Sequence, residues 1–320
     1  MPAGEVLPVL LSLFALVAVG LLLRATGTLP ANAPEVLARV IVQVTMPALI
    51  VVILADARFE PALLPALAAT TTALLVAMLL GVVLLRALGA SRPAQGAAGI
   101  VASFSNTAFL GIPFITAVLP GSRPAATTAV IIDIVDTTIL LLTLGVAFAG
   151  AMARPRLPVR PPLGPRVALA TLRLLRQPMI VAVLVGLVLA LTDLDVPAKL
   201  SGPLTQVGQT TPVLAFLTIG LGLDLGSLRG QTLALAGIAV IKLAVAPVVA
   251  ALVLLALGVR GEVAQTAVLQ AAMPTAMVSV MIAANAGCDA KLATAASVVT
   301  TILALATLPL TVMALRALGL

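Results

Sequence analysis

Apolar residues run along this chain in ten blocks, at approximately 6–24, 35–55, 62–88, 95–118, 125–150, 177–192, 203–223, 231–257, 262–285 and 290–318. Between them lie short stretches rich in Arg, Asp, Gly and Pro, the usual punctuation between spanning helices. Most blocks are close to the roughly 20 residues that an α-helix needs to cross a bilayer. The pattern predicts an all-α integral membrane protein of about ten transmembrane helices.

Two blocks carry polar and helix-breaking residues in their interiors. One contains Ser103-Phe104-Ser105-Asn106-Thr107-Ala108-Phe109-Leu110-Gly111-Ile112-Pro113, the other Gln270-Ala271-Ala272-Met273-Pro274-Thr275-Ala276-Met277-Val278-Ser279. Proline lacks an N–H and clashes with the carbonyl four residues back. Pro113 is therefore expected to strand the carbonyl of Phe109, and Pro274 that of Gln270. Hydrocarbon cannot satisfy such groups, so breaks at membrane depth survive only against protein or a water-filled cavity. Interrupted helices in matching positions of two half-sequences are the sequence pointer to a solute path.

The prolines suggest those halves. Pro8 pairs with Pro178 (178 − 8 = 170), Pro34 with Pro203 (203 − 34 = 169), Pro47 with Pro212 (212 − 47 = 165) and Pro113 with Pro274 (274 − 113 = 161). A duplication with small loop deletions leaves such a slowly shrinking offset. Five helices per half would invert the second half relative to the first. The expected organisation is one five-helix repeat over 1–150, an Arg/Pro-rich loop over 151–176 and an inverted repeat over 177–320.

Composition narrows the function classes. The chain is 62% apolar and 9% charged with mean hydropathy +1.25, whereas about a quarter of a soluble domain's residues carry charge. His, Trp and Tyr are absent, which removes the common proton shuttle and the usual aromatic belt. One cysteine, Cys288, leaves no internal disulfide and no thiolate cluster. The net charge of +7 does not point to nucleic acid, because the arginines concentrate in one loop without interleaved aromatics. The first block follows Glu5 rather than a basic start, so it reads as a retained helix instead of a signal peptide. Lys and Arg cluster after odd-numbered blocks, among them Arg24, Arg86, Arg92 and six arginines between 154 and 176. Positive loops stay in the cytoplasm, which predicts a multi-pass protein of the cell (plasma or inner) membrane with both termini outside and the 151–176 loop cytoplasmic.

Asn106-Thr107-Ala108-Phe109-Leu110-Gly111-Ile112-Pro113 resembles the Asn-Thr-Gly-Phe-Leu-Gly-Ile-Pro signature of the auxin efflux carrier (PIN-like) family. Thr45-Met46-Pro47-Ala48-Leu49, Met273-Pro274-Thr275-Ala276 and the Ala290 to Pro309 stretch extend the likeness along the chain; Ala108 stands where Gly is common. The resemblance implies two inverted five-helix repeats whose broken helices cross at mid-membrane. It also implies a scaffold of spans 1, 2, 6 and 7, a transport domain of spans 3–5 and 8–10, and a homodimer through the scaffold. Members carry organic anions, so the expected activity is a secondary carrier of small carboxylates working by alternating access. Sodium/bile-acid symporters share the architecture, and a sodium-coupled symporter is the alternative.

The candidate substrate contacts are Ser105, Asn106, Thr107 and Pro113 around the first break and Gln270, Pro274, Thr275 and Ser279 around the second. Freed backbone N–H groups and half-helix N-termini there suit a carboxylate. The competing reading is that the same small polar side chains hold helices together, and a static kink is the default for Pro47 and Pro212. Asp133 and Asp136, three residues apart in the fifth block, and Lys242 in the eighth are charges at a depth where charge is costly and usually functional. Lys242 could neutralise one aspartate as a static bridge. Two acids against one base leave one acid to take up a proton, which is expected to be the coupling ion; sodium is disfavoured because no break is visible in the fifth block. An intramembrane enzyme has little to work with, there being no His and no Asp-rich metal motif; no cofactor and no metal are expected. A channel would call for continuous polar stripes rather than two local breaks. Which anion is carried, and in which direction, is not written in these residues.

Overall fold

The computed structural model describes residues 3–57, 59–153, 177–192, 194–222 and 232–319. The Arg/Pro-rich segment from residue 154 to 176 and Asp224 lie outside the described residues. All described elements are helical apart from a single isolated bridge. They are α1 (Ala3–Ala25), α2 (Ala33–Ala55), α3 (Leu63–Ala87), α4 (Arg92–Ser103), α5 (Thr107–Val118) and α6 (Arg123–Met152). They continue as α7 (Pro178–Thr192), α8 (Ala198–Gln209), α9 (Thr211–Gly222), α10 (Thr232–Ala256), α11 (Glu262–Ala272), α12 (Met277–Ala286) and α13 (Ala290–Ala317). Among the described residues α2, α3, α6, α10 and α13 are long and apolar enough to cross a membrane. Exposed leucines such as Leu64, Leu79, Leu233 and Leu310 leave the apolar surface that lipid would cover.

Three prolines are absorbed without breaking their helices. Wide turns of π type at Ile41–Thr45, Thr107–Gly111 and Ile241–Val245 lie immediately before Met46-Pro47, Ile112-Pro113 and Ala246-Pro247. In each, the N–H that follows the turn bonds a carbonyl five residues back: Met46 to Ile41, Ile112 to Thr107 and Ala246 to Ile241. The register slip makes room for a ring that would otherwise strike the i−4 carbonyl. Pro113 therefore lies inside α5 and is not the break expected from the sequence. Pro212 stands at the start of α9, just after the interruption at Thr210.

The helices sort into two compact units, each drawing on both halves of the chain. One holds α3–α6 and α10–α13; the other holds α2, α7–α9 and α1 from Leu11 onward. In the second unit α1 and α9 touch through glycines: a Cβ on Gly220 would lie 2.1 Å from the Val17 carbonyl oxygen and 2.9 Å from Cα of Gly20. Without a hydrophobic drive in lipid, such close backbone approach is how spanning helices gain contact.

In the first unit the connections gather at two ends. At one end the Asp289 N–H donates to Pro93 O and Arg92 donates to Ala151 O. At the other, Ser122 donates to Glu262 at 2.5 Å and Arg260 to Gly319 O. Connections after the third, fifth and ninth apolar runs thus share one end, and those after the fourth, eighth and tenth share the other. Helices that alternate in direction produce this grouping.

Candidate functional site

The two interrupted helices of the first unit meet at their breaks. α4 ends at Ser103, Phe104 turns extended (φ −85°, ψ 120°), and α5 starts at Thr107. α11 ends at Ala272, Met273 turns extended (φ −62°, ψ 147°), and α12 starts at Met277. Ser105 and Thr275 pair as an antiparallel bridge. The Asn106 N–H donates to Pro274 O at 2.7 Å and the Ala276 N–H to Phe104 O at 2.9 Å. Each break thus satisfies backbone groups that the other leaves free, which is what a polar backbone needs at this depth. Pro274 lies in its break, but the Gln270 carbonyl is not stranded, since the Met273 N–H donates to it at 3.3 Å.

The helix ends at the crossing carry their own counter-charges. Lys242, from the wide turn of α10, is fully buried and donates to Ser105 Oγ at 2.7 Å and to Ala271 O at 2.8 Å. Ala271 is in the last turn of α11, whose final carbonyls lack intrahelical partners and form the negative end of the dipole. At the start of α5, Asp133 accepts from the Thr107 hydroxyl at 2.6 Å and from the Ala108 N–H. A cation sits at a helix C-terminus and an anion at a helix N-terminus, each where the dipole favours it.

Both aspartates are buried, and α6 is of π type from Asp133 to Gly145 without any proline. Asp136 accepts from Thr71 of α3 at 3.0 Å. Among the described residues no ion pair joins Lys242 to Asp133 or Asp136, so the static bridge weighed from the sequence is not formed. The Thr107 and Thr137 hydroxyls meet at 2.5 Å, and Thr137 also lies within donating distance of Ser105 O at 3.3 Å. α6 is also less regular than the fifth apolar run suggested, and four threonine hydroxyls (Thr70, Thr71, Thr107 and Thr137) stand near its acids.

Most of the sequence-nominated polar side chains are engaged within the protein. Thr275 donates to Val101 O at 2.8 Å, and its N–H is taken by Thr300 Oγ1 at 3.2 Å. Ser279 donates to Ala276 O at 2.6 Å, and Gln270 to Ala129 O at 3.1 Å, while Gln270 Oε1 is buried without a partner. That oxygen packs against Gly111, where a Cβ would lie 2.0 Å from it. Asn106 differs: it is half-buried, and its side-chain amide has no hydrogen-bond partner among the described residues. Thr70, Thr71, Thr137 and Thr300 were not singled out from the sequence. Threonine in a membrane helix commonly bonds its own i−4 carbonyl, so type alone does not mark those that reach across.

A family model described as a membrane transport protein matches residues 6–157 and 166–312, nearly the whole chain. The chain belongs to that family, the auxin efflux carrier family. It is a membrane transporter by family, and its apolar helices are those of a multi-pass membrane protein. A search of the curated proteins finds no match.

Proposed function

We propose that this protein is a secondary carrier moving small organic anions, carboxylates foremost, by alternating access. The observation that carries the reading is Asn106. At a crossing whose other polar side chains are largely tied to protein partners, its amide is half-buried and unengaged, next to the start of α5. The start of α5 is already taken by Asp133, so the donor on offer to a carboxylate is the Asn106 amide N–H itself. The crossing also supports two inverted repeats. The bridged residues are 170 apart (275 − 105) rather than the 161 of Pro113 and Pro274, because Pro113 lies beyond its break and Pro274 within its own. A homodimer, a position in the cell membrane and termini on the outside complete the proposal.

Charge counting supports coupling to a proton. Asp133, Asp136 and Lys242 sum to one negative charge when all are ionised. An incoming anion would add a second in a medium that screens poorly. A proton carried on one aspartate removes that conflict.

The test is thermal unfolding of purified protein against a panel of mono- and dicarboxylates. A ligand at a hundredfold excess over its dissociation constant stabilises the native state by about 2.7 kcal/mol. A carboxylate that stabilises the parent is expected to lose its effect in Asn106→Ala. An equal shift in that variant would place the anion elsewhere.

A further inference from the structure

Lys242 touches both interrupted helices: Ser105 lies in the first break and Ala271 in the last turn before the second. An ammonium carries three protons, and these two contacts leave one without a protein partner. Beside it is a cavity of about 20 Å³, bordered by Ser103, Ser105, Thr107, Asp136 and Gln270 as well as Lys242 itself. That is room for about one water molecule and far too little for an organic anion. Its wall is partly apolar, with Leu74 and Ile132 among the lining residues; its oxygens come from the Asp136 carboxylate, four hydroxyls (Thr70 with the three already named) and Gln270, whose amide oxygen is buried with no donor to satisfy it. The Ala271 carbonyl adds the negative end of a helix.

Hard oxygen ligands, a single facing carboxylate and a water-sized space are the requirements of a small monovalent cation. A divalent ion would demand more carboxylate charge than Asp136 supplies. The wall has one cation already, and it is covalently attached. We propose that Lys242 is the resident counter-cation of a sodium-type site at the helix crossing, filling with its ammonium the place a free sodium ion would otherwise take. The protein then needs no metal cation there, and removing the ammonium opens a sodium site. The inference stands apart from the identity of the solute, and its test measures cation binding rather than transport.

Thermal unfolding of the purified full chain is followed in NaCl, KCl and N-methyl-D-glucamine chloride at equal ionic strength. The parent is expected to unfold at the same temperature in all three. Lys242→Ala is expected to melt well below the parent in N-methyl-D-glucamine and to recover part of the loss in NaCl, saturably and more than in KCl. Lys242→Gln, which keeps a donor for Ser105 and Ala271, should show the same sodium response. Adding Asp136→Asn to either variant should abolish it. A saturable, sodium-specific shift in the parent would overturn the proposal, as would folded Lys242 variants indifferent to sodium. Failure of both variants to fold even in saturating sodium also counts against it, because the ion should replace the missing charge.

Discussion

Thr275 separates a structural tie from a solute contact. Its hydroxyl donates to Val101 O at 2.8 Å. Val101 is in the last turn of α4, so its carbonyl has no intrahelical donor and sits fully buried. Thr275→Val keeps the volume and shape of the side chain but deletes that donor. Thr300 can still donate to Ser297 O at 3.1 Å, so the loss falls mainly on one orphaned carbonyl. A buried group left unsatisfied costs about 1–3 kcal/mol. That is roughly a fivefold to hundredfold change in the unfolding equilibrium, and it should appear as a clear drop in melting temperature in detergent. Thr275→Ser, which keeps the hydroxyl, should sit much closer to the parent. Below its melting point Thr275→Val should bind a carboxylate as the parent does. A variant as stable as the parent would refute the tie; a stable variant with lost binding would make Thr275 a solute contact instead.

Gly111→Ala would place a methyl 2.0 Å from Gln270 Oε1, so Gln270 must give up its bond to Ala129 O; a lower melting temperature is expected, and an unchanged one would contradict the close fit. Uptake into proteoliposomes is expected to follow an imposed pH gradient and to lose that dependence in Asp133→Asn or Asp136→Asn, whereas uptake indifferent to pH in parent and variants would leave those charges a structural role. Cys288 is a poor topology reporter, because its thiol is buried against Ala149 O and burial pushes its pKa up, so an impermeant maleimide should label it weakly from either side. Ser91→Cys in a Cys288→Ala background places a thiol at an exposed position expected to face the cytoplasm; ready labelling in intact cells would reverse the proposed orientation.

The two breaks were legible because polar, helix-breaking residues inside an apolar run are tolerated at membrane depth only where protein or a cavity receives them. Their exact positions were less so. Pro113 drew attention as a breaker, yet the chain accommodates it by widening the preceding turn, while the first break falls at Phe104 to Asn106, which contain no proline. Three of the wide turns are marked by the proline that follows them, but the long one starting at Asp133 has no proline, which is why it could not be read from the fifth apolar run. Asp133, Asp136 and Lys242 stood out for the cost of burying charge. What they touch depends on helices distant in sequence: Lys242 reaches Ser105 across 137 residues and Asp136 meets Thr71 across 65. The same holds for Asn106, whose proposed role rests on its having no partner while its neighbours have theirs, a property that appears only once the crossing is assembled.

The most direct test of the carrier reading is counterflow in proteoliposomes, using a labelled carboxylate that stabilises the purified protein. Vesicles preloaded with excess unlabelled anion should take up label transiently above equilibrium, with saturable kinetics, and Asn106→Ala should not. Flux that rises linearly with concentration and ignores the preloaded anion would contradict alternating access.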